Sequence, residues 1–150
     1  MRLAGKLKAI IAIAGLCAAV DAWSVDSGTV KIVQGDVRVE RAGKSSALHV
    51  GDGVREADRV VVGPAGSVGI TLRDETLISL GPNAALVIDG FAFDAKTNQG
   101  RVETSILRGS MRYVTGLIGK LNPRSVRVST AKATIGIRGT DFIVEVGDAN

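Results

Sequence analysis

The sequence from Gly28 onward is a succession of short apolar-alternating runs, each ended by Gly, Asn, Asp or Pro. In Ser67–Leu72 the large apolar residues stand at positions 68, 70 and 72, a period of two that is typical of a strand with one buried face. The 19 glycines of the chain favour frequent reversals over long helices. The pattern therefore predicts an all-β fold in which many short strands are joined by turns.

The predicted fold is a single all-β domain of short antiparallel strands, arranged as a β-roll, a sandwich or a solenoid-like stack. Gly90–Gly100 lacks clear alternation and is predicted to be a surface loop. A strand is expected to run to about Val114, followed by a short helical turn inside Thr115–Asn122 that Pro123 ends. The strands predicted before the loop are Thr29–Val33, Val37–Arg41, Ala47–Val50, Arg59–Val62, Ser67–Leu72, Thr76–Leu80 and Ala84–Asp89.

The N-terminus has the pattern of an export signal. Three basic residues, Arg2, Lys6 and Lys8, precede the apolar run Ala9–Val20, whose 12 residues are too few for a spanning helix of about 20. Compact residues around Ala22 fit a cleavage site. We therefore expect export to the periplasm or secretion, with no stable membrane insertion after cleavage. The predicted parts are a signal peptide at 1–22, a leader at 23–27 and one β domain at 28–150.

Cleavage of this signal would change the composition in two ways. Cys17 is the single cysteine of the chain and would leave with the signal, so disulfides, thiol catalysis and zinc–thiolate sites are excluded from the mature domain. Loss of Arg2, Lys6, Lys8 and Asp21 would leave 16 basic and 14 acidic residues. Charges of both signs are interspersed, which is typical of an ordinary protein surface and argues against nucleic-acid binding.

Few residues offer catalytic or cofactor chemistry. His49 is the single histidine and has no second histidine to form a metal site with. Ser129–Lys132 matches an S-x-x-K pattern but lacks its usual companion motifs. Asp74 and Glu75 are adjacent and are interpreted as solvated turn charges, and Gly51–Gly53 as a turn. We expect no enzyme activity, cofactor or metal; a hydrolase that uses His49 is the weaker alternative.

The segment Ser129–Phe142 carries the most specific pattern. Alternating apolar residues flank a predicted tight turn at Arg138–Thr140, in which Gly139 can take a positive φ. The Arg138 guanidinium is expected to be partly desolvated and paired, with Asp141 as the nearest carboxylate. Arg138 is then either a structural clamp or a contact for a partner. The candidate site residues are Gly136, Arg138, Gly139, Thr140, Asp141 and Phe142.

Four motifs in order resemble a FecR-type domain: Val50–Asp52, Leu80–Asn83, Leu107–Gly109 and, most specifically, Ala133–Phe142. The resemblance covers about Gly28–Val146 and implies a periplasmic all-β module. The best-understood members of that family span the inner membrane and relay a signal from an outer-membrane receptor to a cytoplasmic sigma factor. Without a predicted spanning helix, this chain is more similar to stand-alone exported FecR proteins.

Two functions follow from these observations. The first is an exported, non-enzymatic FecR-domain module that binds or senses another cell-envelope protein or ligand, for instance by adding a strand at a sheet edge. The alternative is a structural or stress-protective envelope protein. It would form homo-oligomers through the strand edges of Val126–Thr130 or Phe142–Val146, which lack obvious edge protection. The sequence leaves the oligomeric state open.

Overall fold

The computed structural model describes residues 24–147. The predicted signal peptide at 1–22 and Trp23 lie outside the described residues. The end of the predicted leader already contacts the domain. Ser27 is buried and its N–H donates to the Val54 carbonyl oxygen at 2.7 Å, and Asp26 pairs with Arg55 at 2.7 Å.

The fold is all-β, with 57% strand and 6% helix, which confirms the predicted class. One short helix, α1 (Leu117–Leu121), and a 3₁₀ turn at Pro123–Ser125 follow the longest strand. The helix lies inside the predicted range Thr115–Asn122. The strands are β1 (Gly28–Gln34), β2 (Val37–Arg41), β3 (Lys44–Ala47), β4 (Gly53–Val54), β5 (Arg59–Val62), β6 (Ser67–Leu72), β7 (Leu77–Leu80), β8 (Ala85–Asp94), β9 (Gln99–Val114), β10 (Val126–Ser129), β11 (Thr134–Gly136) and β12 (Asp141–Val146).

The strands form one curled sheet, a half-barrel, in the order β3-β2-β5-β8-β9-β7-β6-β1-β4. The 16-residue strand β9 pairs with β8 and β10 through its first part, and with β7 and β12 through its second. The two parts meet at Gly109, whose φ of +78° favours glycine, and a side chain there would meet the backbone of Ala84. The pairing of β10 with β9 is parallel. Both β10 and β12 therefore lie beside the same long strand, β9, next to successive parts of it.

The core lies inside the curl. The alternation read in β6 is confirmed, because Val68, Ile70 and Leu72 are each at most 2% exposed. Burial of such a side chain contributes about 1.5–3 kcal/mol relative to leaving it in water. The interior also contains buried carboxylates, of which Asp58 is paired with an arginine. The two oxygens of Asp58 accept hydrogen bonds from Arg41 at 2.7 and 2.6 Å.

Two predicted boundaries were wrong. Gly90–Gly100 is not a surface loop: β8 and β9 continue through it as a hairpin. The alternation was hidden there by an irregular register between Ile88 and Gly90, so the apolar period slips by one residue. The strand predicted at Ala47–Val50 lies earlier, at Lys44–Ala47. Its residues are all exposed, because β3 is an edge strand that pairs with β2 alone.

Asp74 was also misassigned as a solvated turn charge. The residue is fully buried, and its carboxyl oxygens accept hydrogen bonds from the backbone N–H and the hydroxyl of Thr76 at 3.1 and 2.9 Å. The Thr76 hydroxyl oxygen in turn accepts from the Gly116 N–H at 3.1 Å, and the Asp74 carbonyl accepts from Leu117 at 2.7 Å. This network joins the β6–β7 turn to the start of α1 and satisfies polar groups that water cannot reach.

Candidate functional site

The predicted tight turn at Arg138–Thr140 does not form. Residues 137–140 instead connect β11, which pairs with β10, to β12, which pairs with β9. Gly139 does not take a positive φ. The alternation on each side of this segment correctly predicted two strands. It could not show that each strand pairs with a different neighbour, because pairing partners far apart in sequence leave no local signal.

Thr115, which follows the end of β9, holds this segment by two hydrogen bonds. The Thr115 N–H donates to the Thr140 carbonyl at 2.8 Å, and its hydroxyl donates to the Gly139 carbonyl at 3.1 Å. Phe142 stacks on the buried ring of Tyr113, with ring centroids 5.2 Å apart. These contacts hold residues 139–142 without using the side chain of Arg138.

Asp141 is paired with Arg112 and not with Arg138, so the expected Arg138–Asp141 pair was wrong. The Arg112 guanidinium donates to both carboxylate oxygens of Asp141, at 3.0 and 2.6 Å. This hydrogen bonding lowers the pKa of Asp141 from its ordinary value, and partial burial opposes the change. The two residues lie on neighbouring strands, β9 and β12, so the sheet itself brings them together.

The Arg138 side chain is exposed and makes no hydrogen bond or ion pair with any residue in 24–147. The partly desolvated, paired guanidinium that the sequence suggested is therefore not observed. Arg138 lies instead beside three cavities, of about 870, 330 and 200 Å³. Its neighbour Ile137 points the other way and is 6% exposed. The backbone is held by buried contacts while the guanidinium faces solvent.

The largest of these cavities, which we call the motif groove, is basic. Arg124, Arg127 and Arg138 line it, and no acidic side chain does. Glu103, which is not part of this lining, lies on β9 opposite Arg127 and 3.8 Å from its guanidinium. The positive charge of the arginines is therefore not balanced by an acidic side chain in the groove lining. Its lining consists of Asn122, Pro123, Arg124, Val126, Arg127, Thr134, Ile135, Gly136, Ile137 and Arg138.

Gly136 and Gly139 flank Arg138 and have open space in front of them. A Cβ atom at either position would meet no other atom within 4 Å, and neither residue has a positive φ. Neither backbone conformation nor packing within residues 24–147 therefore requires glycine there. Glycine costs roughly 0.5–1 kcal/mol relative to alanine within a regular element, and one use that offsets this cost is close approach of another backbone or ligand.

The other candidates do not form a site. The His49 side chain is 74% exposed, and its Nδ1 lies 3.5 Å from Asp52. The Ser129 hydroxyl lies 3.4 Å from that of Thr134, while Lys132 is exposed in the turn that follows. Residues 24–147 contain no cluster of three potential metal ligands. No helix in the same range is long and apolar enough to cross a membrane.

Sequence reasoning missed four residues of this region: Arg112, Thr115, Arg124 and Arg127. A local signal existed for Arg127, because the alternation Val126-Arg127-Val128 places the arginine on the exposed face of a strand. No local signal joins it to Arg138. Their proximity depends on the pairing of β10 with β11, in which Arg127 lies opposite Gly136.

The chain matches a family model described as "FecR protein" over residues 58–150. The match includes three of the four motifs noted in the sequence and leaves Val50–Asp52 outside it. The strands that precede the match, β1 to β4, belong to the same curled sheet as the rest. No curated protein and no solved structure matches the chain significantly. Since the family model covers more than half of its residues, the chain belongs to the FecR family, whose members act in sensing and signalling at the cell envelope.

Proposed function

We propose that this chain is an exported, non-enzymatic binding module that engages another cell-envelope protein through the motif groove. The observation that carries the proposal is the state of Arg138. The two residues that follow it, Gly139 and Thr140, are held by Thr115, yet its guanidinium is exposed and without a partner among residues 24–147. An exposed cation that has no hydrogen-bond or ion-pair partner in the described part of the chain is available for a ligand.

The envelope location is supported by two independent features. Residues 1–22 have the basic and apolar regions of a secretory signal, and FecR domains are typically periplasmic. The described fold is consistent with export without disulfides, because its core is apolar and continuous. A domain of this length can bury roughly two thirds of its unfolded surface and does not need a covalent link.

A binding role fits the chemistry better than catalysis does. Catalytic groups work in sets within hydrogen-bond reach of one another and of a reacting atom. His49 lies on an exposed turn, away from the motif groove, and Asp74 is enclosed in a satisfied structural network. The groove itself offers three arginines and a strand edge, which bind and orient a ligand but do not supply a general base.

Site-specific photocrosslinking in the producing cells tests this function. A photoreactive residue at position 134, which is exposed in the motif groove and leaves Arg138 in place, should crosslink to one envelope protein. The same residue at position 38 should not, because Arg38 is exposed on β2, near the opposite edge of the sheet. Absence of a crosslink at position 134, or the same products at both positions, would overturn the proposal.

A second candidate, a homo-oligomer formed through strand edges, is favoured by β12. Among the described strands it pairs with β9 alone, and Ile143 on it is 68% exposed. The other edge suggested by the sequence, Val126–Thr130, was wrong, because β10 is covered on both sides by β9 and β11. Light scattering decides this candidate: Ile143→Lys should shift an oligomer towards the monomer, whereas a wild-type monomer at high concentration would exclude it.

A further inference from the structure

We propose that the free edge of β11 accepts an acidic, extended segment of the partner as an added strand, with its carboxylates held by Arg127 and Arg138. The proposal rests on the function proposed above and specifies the chemistry of the partner. It requires three properties of the site. These are unpaired backbone groups at an accessible edge, cations on the face beside that edge, and space for the cationic side chains to reach the added strand.

The edge of β11 is accessible. Thr134–Gly136 pairs with β10 on one side only. Apart from that ladder, no backbone group of residues 134–138 hydrogen-bonds within the described chain. The motif groove opens along the same residues. An edge of this kind presents alternating N–H and C=O groups, which an extended peptide satisfies by forming the next rung of the sheet.

The cations lie on one face of this edge. Ile135 and Ile137 point towards the core, whereas Thr134, Gly136 and Arg138 are exposed, so the alternation of a strand continues to position 138. On β10, Arg127 is exposed and lies directly opposite Gly136. Arg127 and Arg138 therefore lie on the solvent face of neighbouring strands, where outward side chains of an added strand would also lie.

Gly136 provides the space. An added strand would lie two strand spacings, roughly 10 Å, from β10. Arg127 can reach a carboxylate on that strand only by lying across the residue between them, and that residue is Gly136. A larger side chain there would fill the path of the guanidinium. This accounts for a glycine whose conformation and surroundings within residues 24–147 do not require one.

The charge of the groove selects an acidic segment. Arg124 and Arg138 have no ion-pair partner among residues 24–147, and Arg127 is 3.8 Å from Glu103. Arginine presents a planar set of donors that matches a carboxylate in two-point contact. A peptide fits this site better than a nucleic acid does, because a phosphate backbone supplies acceptors only and leaves the carbonyls of the β11 edge unsatisfied.

Fluorescence anisotropy with a labelled peptide of alternating glutamate and valine provides the test. The like charges keep this probe monomeric at neutral pH. We expect binding that weakens with added salt. Arg127→Ala and Arg138→Ala should each weaken it about tenfold, the loss expected for one charge-assisted hydrogen bond. Arg38→Ala is the matched control and should leave the affinity unchanged, because Arg38 is exposed beside the β2–β3 edge.

Two further measurements separate strand addition from simple charge attraction. Methylation of alternate backbone nitrogens of the probe removes its edge donors without changing its side chains, and should abolish binding. Gly136→Leu should weaken binding about as much as Arg127→Ala while the melting temperature shows that the domain remains folded. Equal binding of the methylated probe, or of a probe with lysine in place of glutamate, would overturn the proposal.

The outcomes distinguish this inference from the function on which it rests. A partner crosslinked at position 134, without binding of the acidic probe, would overturn the inference and leave the binding function in place. Specific binding of the probe at residues 134–138, seen as slowed amide hydrogen exchange there, supports the inference. Failure of both experiments would overturn both proposals.

Discussion

Arg112 donates two hydrogen bonds to the Asp141 carboxylate, at 3.0 and 2.6 Å, and thereby joins β9 to the first residue of β12. This pair occupies the carboxylate that lies closest in sequence to Arg138. The anchoring role that the sequence suggested for Arg138 therefore belongs in part to Arg112, and Arg138 remains exposed.

The Arg112–Asp141 pair should make stability depend on acid pH. Arg112 lowers the pKa of Asp141, so its contribution is fully present above the ordinary aspartate pKa of about 3.9 and is lost as the pH falls through the lower folded value. Arg112→Ala should therefore reduce the free energy of unfolding modestly at neutral pH and have little effect at about pH 2. Urea unfolding at both pH values measures this. An equal loss at both would contradict it.

Arg138→Ala should leave stability unchanged. The side chain is exposed and makes no hydrogen bond or ion pair within residues 24–147, and substitutions of this kind change stability by less than about 0.5 kcal/mol. Thermal unfolding followed by circular dichroism measures the effect. Gly139→Ala, which meets open space, serves as a second neutral variant. A strong fall in melting temperature for Arg138→Ala would restore the interpretation of this residue as a clamp.

Arg41 is a structural clamp on a buried carboxylate in a different part of the sheet. Its guanidinium binds both oxygens of Asp58, which is 1% exposed, and donates to the Gly53 carbonyl at 3.1 Å. Arg41→Ala should cost about 2–3 kcal/mol, because a buried carboxylate loses its main partner. Arg41→Lys should recover only part, since lysine lacks the planar fork. Denaturant titrations measure both variants.

Arg55→Ala is the control for Arg41. Arg55 pairs with Asp26 at 2.7 Å through partly exposed side chains, and such pairs contribute at most about 1 kcal/mol. A loss for Arg55→Ala as large as that for Arg41→Ala would show that burial of the carboxylate is not what distinguishes the two pairs.

Tyr113→Phe should not destabilise the protein at neutral pH. The Tyr113 hydroxyl is fully buried and makes no hydrogen bond within the described residues, and its removal relieves an unsatisfied polar group at a gain of up to about 1 kcal/mol. The stacking on Phe142 needs only the ring, which the variant keeps. Urea unfolding at neutral pH checks this, and a loss above about 1 kcal/mol would show that the hydroxyl has a partner.

The same tyrosine should make the folded state sensitive to alkali. Burial raises the pKa of Tyr113. The Thr76 side chain, which lies close to the hydroxyl but outside hydrogen-bond geometry, lowers this pKa by less, and Asp74 adds to the rise. In the folded state Tyr113 then retains a proton that the unfolded chain releases. The free energy of unfolding is therefore unaffected by Tyr113 below the ordinary pKa of about 10 and falls as the pH rises above that value. Because Tyr113 is the single tyrosine of the chain, the absorbance of tyrosinate reports it directly. Titration near the ordinary value in the folded protein would contradict this.

Gly116→Ala should destabilise the network around Asp74. An added methyl group would collide with the Asp74 carbonyl and the backbone of Thr76, and the N–H of Gly116 holds the Thr76 hydroxyl. Overpacking of this kind costs about 1–3 kcal/mol. Gly136→Ala is the matched control. It meets open space and should be neutral or slightly stabilising, because it restricts the unfolded chain. Equal losses in the two variants would exclude the collision as the cause.

The strands could be predicted wherever one face is buried along a regular register. In β5 and β6 the alternation of Val60, Val62, Val68 and Ile70 is uninterrupted, and both strands were located from it. The prediction failed at Gly90–Gly100, where an irregular register breaks the period. The prediction also failed at Asp74, because a charged residue beside a turn is usually solvated. Here the carboxylate is enclosed by contacts that involve Thr76 and, from a distant part of the chain, Gly116.

The sequence by itself determined the class of the fold, the position of the helical turn and the motif that marks the family, because these depend on local periodicity, on glycine and proline, and on residue order. Only the tertiary structure decided which arginine holds which carboxylate. Arg112 reaches Asp141, Arg41 reaches Asp58, and Arg127 lies beside Gly136 because strands distant in sequence pair in one register. That register follows from the burial of a whole sheet face, which no single segment of the chain specifies.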